Sequence, residues 1–215
     1  MEFSREMLEL YAVTDRRWLG GKKLGSQVRR ALSGGVSMVQ LREKELHGDE
    51  LLEEAREIRE ICHSFRVPFL IDDDVELARK VDADGVHVGQ EDMEAARARS
   101  ILGPGKILGV SARTLEQARA AEAAGADYLG VGAVFPTGTK DDAKSVSLDS
   151  LREICGSVTI PVVAIGGIGK KNLLQLSGSG IAGVAVVSAI FAQEDIEGET
   201  RSLKELVGKM MGSGK

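Results

Sequence analysis

"FLIDDDVELARKVDADGVHVGQEDM", residues 69–93, holds a pattern that decides the fold. An apolar run, Phe69 to Ile71, ends in Asp72, Asp73 and Asp74. The short amphipathic stretch "VELARKV" follows. A second apolar run, Val86 to Val88, then ends in Gln90, Glu91 and Asp92. Runs this short and this uniformly apolar suit strands covered on both faces. Neighbouring carboxylates repel one another and resist burial, so their place directly after two strands asks for a cation or a solvated rim.

The same unit recurs outward in both directions. Strands are predicted at "LYAVT" (10–14), "SMVQL" (37–41), "PFLI" (68–71), "GVHVG" (85–89), "ILGVS" (107–111), "YLGVGA" (128–133), "PVVAIG" (161–166) and "GVAVVS" (183–188). Helical spacing falls between them. In "DELLEEAREIREICHSF" it joins Leu52, Ala55, Ile58, Arg59 and Cys62. "TLEQARAAEAAG" opens on Thr114, an N-cap residue, and ends at Gly125; "LDSLREICG" has Ser147 before it as a cap. "MEAARARSIL", "KNLLQLSGSG" and "RSLKELVGKMM" repeat the pattern. About eight strand-then-helix units predict a single α/β domain over residues 1–215, a (β/α)8 TIM barrel, with the last residues of "GKMMGSGK" frayed. An open doubly wound sheet is the alternative. It would announce itself by a glycine fingerprint or P-loop after the first strand, where this chain has "TDRRWLGGKK".

Composition narrows the function. The chain has 215 residues, 43% hydrophobic and 28% charged, as in ordinary globular proteins. Its net charge of −5, with no basic stripe, argues against nucleic acid as a partner. No apolar stretch reaches transmembrane length and the N-terminus lacks a signal-peptide pattern, so no membrane partner is expected. Cys62 and Cys155 lie in helical patterns without metal spacing and read as inert thiols in a reducing cytoplasm.

In a barrel the chemistry gathers where strands end and βα loops begin, and the polar residues cluster there. Gln40, Arg42 and Lys44 share one face of an extended segment, two cations and an amide that can clamp an anion. Asp73 and Asp92 follow adjacent strands and can converge, a pattern suited to Mg²⁺ held by one or two carboxylates plus phosphate. Asp73 or Asp74 can instead cap the following helix; Asp74 is expected nearer the cap and Asp73 nearer the site. Ser111 ends the fifth strand, and "FPTGTK" (135–140) brings Lys140 to the same face. "AIGGIGKKN" and Ser188, after the last two strands, form a second anion site. Two anion sites on one face imply two phosphorylated small-molecule substrates, one a diphosphate, and a metal-assisted transfer that releases pyrophosphate. His87, inside a strand, reads as a satisfied barrel residue in preference to a base. Trp18, in the first βα loop, packs or lids the site.

"YAVTD", "VQLREK", "DDVELA", "ADGVHVGQED", "GADYLGVGAVFPTGTKDDA", "PVVAIGGI" and "VVSAI" follow one another in an order and spacing that resemble the thiamine-phosphate synthase family over nearly the whole chain. The resemblance implies a (β/α)8 barrel that joins a hydroxymethylpyrimidine diphosphate to a thiazole phosphate with Mg²⁺. It implies contacts to the pyrimidine diphosphate from Gln40, Leu41, Arg42, Glu43, Lys44, Asp72, Ser111 and Lys140, with Arg42, Lys44, Ser111 and Lys140 the catalytic set. Thr137, Gly138, Thr139, Gly167, Val187 and Ser188 would hold the thiazole phosphate, and Asp73 and Asp92 the Mg²⁺. The implied mechanism is dissociative: pyrophosphate leaves, a pyrimidine methylene cation remains and the thiazole nitrogen attacks. The chain departs from the family at Asp72, where Asn is usual, and at Gly138, where Ser is common. Other readings of the barrel are a thiazole tautomerase, a Schiff-base aldolase or a non-catalytic phosphate-ligand sensor. Lys44 and Lys140 stand in loops, where an aldolase would want a lysine inside a strand.

Overall fold

The computed structural model describes residues 2–137 and 145–212. Eight strands form a closed parallel barrel in sequence order: β1 (Leu10–Val13), β2 (Met38–Leu41), β3 (Phe69–Asp72), β4 (Gly85–Val88), β5 (Ile107–Ala112), β6 (Tyr128–Gly132), β7 (Val162–Ile165) and β8 (Gly183–Val186). Closure pairs β1 with β8 through Leu10 and Val184, so no strand edge is left unpaired. The chain therefore folds as the (β/α)8 barrel its alternating pattern predicts.

Side-chain alternation splits the apolar residues into two cores. Tyr11, Val13, Met38, Leu70, Ile107, Tyr128, Val163 and Ala185 fill the barrel interior. Their neighbours in sequence, such as Ala12, Val39, Ile71 and Val184, pack outward against the helices. A 3₁₀ turn, Arg5–Leu8, brings Leu8 to the floor of the inner core, where Phe3 stacks on Tyr128 with ring centroids 6.0 Å apart. The barrel is closed at this end, so its open mouth lies at the C-terminal ends of the strands.

The helices are α1 (Leu24–Ser33), α2 (Gly48–Ser64), α3 (Val75–Lys80), α4 (Ala95–Leu102), α5 (Leu115–Ala123), α6 (Leu148–Ser157), α7 (Ser188–Phe191) and α8 (Ile196–Gly212). Side-chain caps start three of them. Asp74 accepts from Leu77 N, Thr114 from Gln117 N and Ser147 from Ser150 N, each worth about 1 kcal/mol. Two details differ from the sequence reading. α1 and the short α7 have no counterpart among the helical patterns, and "KNLLQLSGSG" forms only a 3₁₀ turn (Leu173–Leu176). Ser177, Gly178 and Gly180 account for the second, since Gly178 and Gly180 take positive φ, 71° and 88°, which ends helical geometry.

Candidate active site

The segment leaving β2 keeps its strand alternation. Gln40, Arg42 and Lys44 face the mouth, while Leu41 joins the outer core and Glu43 turns outward. The Glu43 carboxylate accepts from Arg16 Nε at 2.6 Å and from Glu45 N at 2.7 Å. Of the run Gln40 to Lys44, three side chains reach the mouth, and Leu41 and Glu43 bring only main chain to it.

Arg42 lies between two carboxylates. Its Nη1 is 3.6 Å from Asp15 and its Nε 3.7 Å from Asp72. Both are too long for hydrogen bonds. Its buried Nε makes no hydrogen bond among the described residues. Arg42 N donates to Thr14 Oγ1 at 3.0 Å, anchoring the main chain. Asp15 is 5% exposed. Burial pushes its pKa up, but hydrogen bonds from Arg17 and the charge of Arg42 outweigh this and hold it low. Lys44 Nζ sits 2.9 Å from Asp73 and 3.7 Å from Asp72. Burial works against its charge, yet the Asp73 contact wins and raises its pKa.

Asp73 takes a positive φ of 62°, a left-handed conformation that Asp tolerates better than most residues. Its N–H donates to His87 O at 2.8 Å, which fixes the turn against β4. Asp92 bends back over its own loop and accepts from Gly89 N at 2.8 Å. A Cβ on Gly89 would lie 2.6 Å from Asp92 Oδ2, so a side chain there would push the Asp92 carboxylate from this position. Burial first, and then the Asp73 carboxyl within hydrogen-bonding reach, raise the Asp92 pKa. Asp73 and Asp92 therefore converge as the sequence suggests, while Asp74 caps α3. Among the described residues, no group of three or more His, Cys, Asp or Glu gathers as a metal-ligand set.

Opposite this charged wall, the loops after β7 and β8 begin with Gly166–Gly167 and Val187–Ser188. Gly166 and Gly167 follow β7 with φ of 98° and 65°. Gly167 carries the loop leaving β6 against it: a Cβ there would meet Pro136 O at 2.4 Å and Phe135 O at 2.7 Å. Asn172 locks the loop by donating to Gly167 O, and its own Oδ1 accepts from Gly169 N, each at 2.9 Å. Val187 leaves β8 partly buried against the inner core, and Ser188 opens α7, exposed. Thr137 follows Pro136 in the loop leaving β6; Gly138, Thr139 and Lys140 lie outside the described residues.

His87 is satisfied on both ring nitrogens. Nδ1 lies 2.9 Å from Tyr128 Oη and Nε2 2.9 Å from Ser111 Oγ. Gln90 Nε2 donates to Ser111 O at 2.7 Å, laying the loop after β4 over the end of β5. Trp18 is 40% exposed. Sequence reasoning missed Thr14, Asp15 and Arg16, whose partners are Arg42, Glu43 and Glu54. It also missed Tyr11 and Tyr128, the two tyrosines of the chain. Their signal was present: a tyrosine inside an apolar parallel strand has a hydroxyl that needs a buried partner.

A family model described as thiamine monophosphate synthase matches residues 10–190. A thiamine-phosphate synthase of Clostridium botulinum is 47% identical over 201 residues, 94% of each chain. One of Desulfitobacterium hafniense is 49% identical over 198 residues, 92% of this chain and 96% of that one. Among solved structures, a thiamine phosphate pyrophosphorylase from Pyrococcus furiosus superimposes with a TM-score of 0.89 at 42% identity, covering 97% of this chain and 99% of that one. With the match spanning β1 to α7 and the relatives near half identical end to end, the chain belongs to the thiamine monophosphate synthase family.

Proposed function

We propose that this chain condenses an aminopyrimidine methyl diphosphate with a thiazole phosphate, forming thiamine phosphate and releasing pyrophosphate. The division of the mouth carries this reading. Arg42, Lys44, Asp73 and Asp92 stand on the β2–β4 side, and a glycine and hydroxyl wall stands on the β6–β8 side. A diphosphate needs cations on both sides of its charge, whereas a monophosphate is held well by main-chain N–H groups and a hydroxyl.

The Asp73–Asp92 pair fits a divalent cation. Burial and then the neighbouring Asp73 carboxyl raise the proton affinity of Asp92, a strain that a metal would ease, with phosphate oxygens and water as its further ligands. Mg²⁺ bound there would draw negative charge away from the departing pyrophosphate. Arg42 and Lys44, with Lys140 from the loop after β6, would neutralise the rest. Gln40 and Ser111 would hold the pyrimidine, with the main chain of Leu41 and Glu43 behind the phosphates. Thr137, Gly138, Thr139, Gly167, Val187 and Ser188 would hold the thiazole phosphate so that its nitrogen faces the pyrimidine methylene carbon. Both His87 nitrogens are engaged, so the site works by positioning and charge in place of a protein base. No described helix is long and apolar enough to cross a membrane. Cys62 and Cys155 are both unpaired, which suits a reducing cytoplasm.

Mixing both substrates with Mg²⁺ and measuring pyrophosphate tests the proposal. Release should need both substrates and the metal. Isomerisation of the thiazole phosphate without pyrophosphate release would favour a tautomerase instead.

Asp72 is a second test. Its carboxylate lies 3.7 Å from both Arg42 Nε and Lys44 Nζ, so it offsets two cations meant for the diphosphate. Asp72→Asn preserves shape, removes that competition and adds a donor. Turnover should be retained, with the KM for the pyrimidine diphosphate unchanged or lower by up to about fivefold. A loss of turnover as large as that of Asp92→Ala would make Asp72 a metal ligand or an essential acceptor.

A further inference from the structure

A chain of hydrogen bonds crosses the barrel interior beneath the mouth. Gln40 Nε2 donates to Tyr11 Oη at 2.7 Å, and Tyr11 Oη lies 2.9 Å from Tyr128 Oη. Tyr128 Oη lies 2.9 Å from His87 Nδ1, and His87 Nε2 2.9 Å from Ser111 Oγ. The five groups come from β2, β1, β6, β4 and β5. Gln40, Tyr11, Tyr128 and His87 are all buried, at 4%, 1%, 0% and 9% exposure. The space they occupy is made by glycines: a Cβ at Gly109 would lie 2.2 Å from Tyr128 Cζ, and one at Gly130 2.9 Å from His87 Cε1.

The chemistry of the groups gives this chain a direction. An amide N–H only donates, so Tyr11 Oη accepts from Gln40. Its own proton has one acceptor among the described residues, Tyr128 Oη. Tyr128, having accepted, donates to His87 Nδ1. A neutral imidazole that accepts at Nδ1 carries its proton on Nε2, and that N–H donates to Ser111 Oγ. Ser111 has then accepted, and its hydroxyl proton is left for the mouth. Reversal would strand the Tyr11 proton in the apolar interior, where an unmet hydroxyl costs about 1–3 kcal/mol.

We propose that Tyr11, Tyr128 and His87 are positioning residues that form a one-way hydrogen-bond relay from Gln40 to Ser111. The relay holds His87 as the Nε2–H tautomer and commits Ser111 to donating into the site. With Gln40 keeping its carbonyl oxygen for accepting, the two walls offer an acceptor on β2 and a donor on β5. That pair suits a flat heterocycle with an amino group on one edge and a ring nitrogen on another. This last step rests on the proposed placing of the pyrimidine between Gln40 and Ser111; the relay itself does not.

The tautomer is read directly by long-range ¹H–¹⁵N NMR of the three histidines at pH 8, with His47→Gln and His63→Gln to assign the signals. His87 should carry its proton on Nε2 in the unmodified protein. Gln40→Glu, which turns the first donor into an acceptor, should reverse the relay and move that proton to Nδ1. Tyr128→Phe should abolish the reversal by Gln40→Glu. In kinetics, Tyr128→Phe should raise the KM for the pyrimidine diphosphate about 2–10-fold with less effect on kcat, consistent with one lost hydrogen bond. It should add nothing in a Ser111→Ala background. A wild-type Nδ1–H tautomer, a tautomer indifferent to Gln40→Glu, or additive effects of Tyr128→Phe and Ser111→Ala would each overturn the relay. An ordinary KM for Ser111→Ala, with the tautomer switch intact, would overturn the placing of the pyrimidine and leave the relay standing.

Discussion

Asp92→Ala is expected to lower turnover by roughly two to three orders of magnitude while the fold survives. The two halves of that expectation have different causes. Asp92 is exposed, and its structural role is one hydrogen bond from Gly89 N at 2.8 Å, worth about 1 kcal/mol. Partial burial, and after it the Asp73 carboxyl, raise its proton affinity, so removing it also relieves its repulsion with Asp73. Stability without metal should therefore fall little or rise. Turnover should collapse because Asp73 alone would leave the metal one carboxylate short where pyrophosphate departs. Thermal unfolding separates metal binding from chemistry. With inorganic pyrophosphate present, Mg²⁺ at about 100 times its dissociation constant should stabilise the unmodified protein by about 2.7 kcal/mol. In a chain of this length that is about 5–10 °C in Tm. Asp92→Ala should show little of that shift, and extra Mg²⁺ should rescue turnover partly at best. Near-normal turnover at limiting Mg²⁺, or an undiminished metal-induced shift, would remove Asp92 from the site.

The same residues show what was legible beforehand. Strands β1 to β8 were readable because each is a short apolar run covered on both faces, flanked by turn chemistry that local sequence records. The face of the site was readable because carboxylates and cations collect at strand ends only where something offsets them. Asp74 as the cap followed from helix-start chemistry alone. Less was readable where one residue's partner is far away in sequence. Alternation puts Tyr11 and Tyr128 inside the barrel, but their hydroxyls meet across 117 residues. That meeting depends on the stagger of a closed barrel, which no local pattern encodes. Glu43 shows the reverse. Its place in "QLREK" suggests a site residue, and only the fold shows that its side chain leaves the mouth for Arg16. α1 was obscured by the glycines and lysines of "LGGKKLGSQ", which read as loop.

Gly109→Ala is expected to be among the most destabilising single-methyl additions in the barrel. Its new Cβ would lie 2.2 Å from Tyr128 Cζ, 2.3 Å from Tyr128 Oη and 2.5 Å from His87 Nδ1. A flexible side chain could swing away, but neither ring has room. Phe3 stacks on Tyr128 at 6.0 Å, Tyr11 meets it edge-on at 6.0 Å, and hydrogen bonds tie both rings to their neighbours. Overpacking of this kind costs about 1–3 kcal/mol or more, and two displaced hydrogen bonds move the expectation to the upper end. At about 3 kcal/mol, Tm should drop by roughly 6–12 °C. Gly130→Ala should cost less, because its nearest contacts, His87 Cε1 at 2.9 Å and Nε2 at 3.3 Å, are looser. Gly156→Ala, in α6 with nothing within 4 Å, should be neutral or stabilising by up to about 1 kcal/mol. Urea and thermal unfolding of the three variants should rank them in that order. In Gly109→Ala, the KM for the pyrimidine diphosphate should rise as well, since the proposed relay reaches Ser111 through the displaced His87 ring. A Gly109→Ala protein as stable as Gly156→Ala would mean that the barrel interior yields to a methyl group, and the packing that holds Tyr128 and His87 in line could then not be what fixes Ser111.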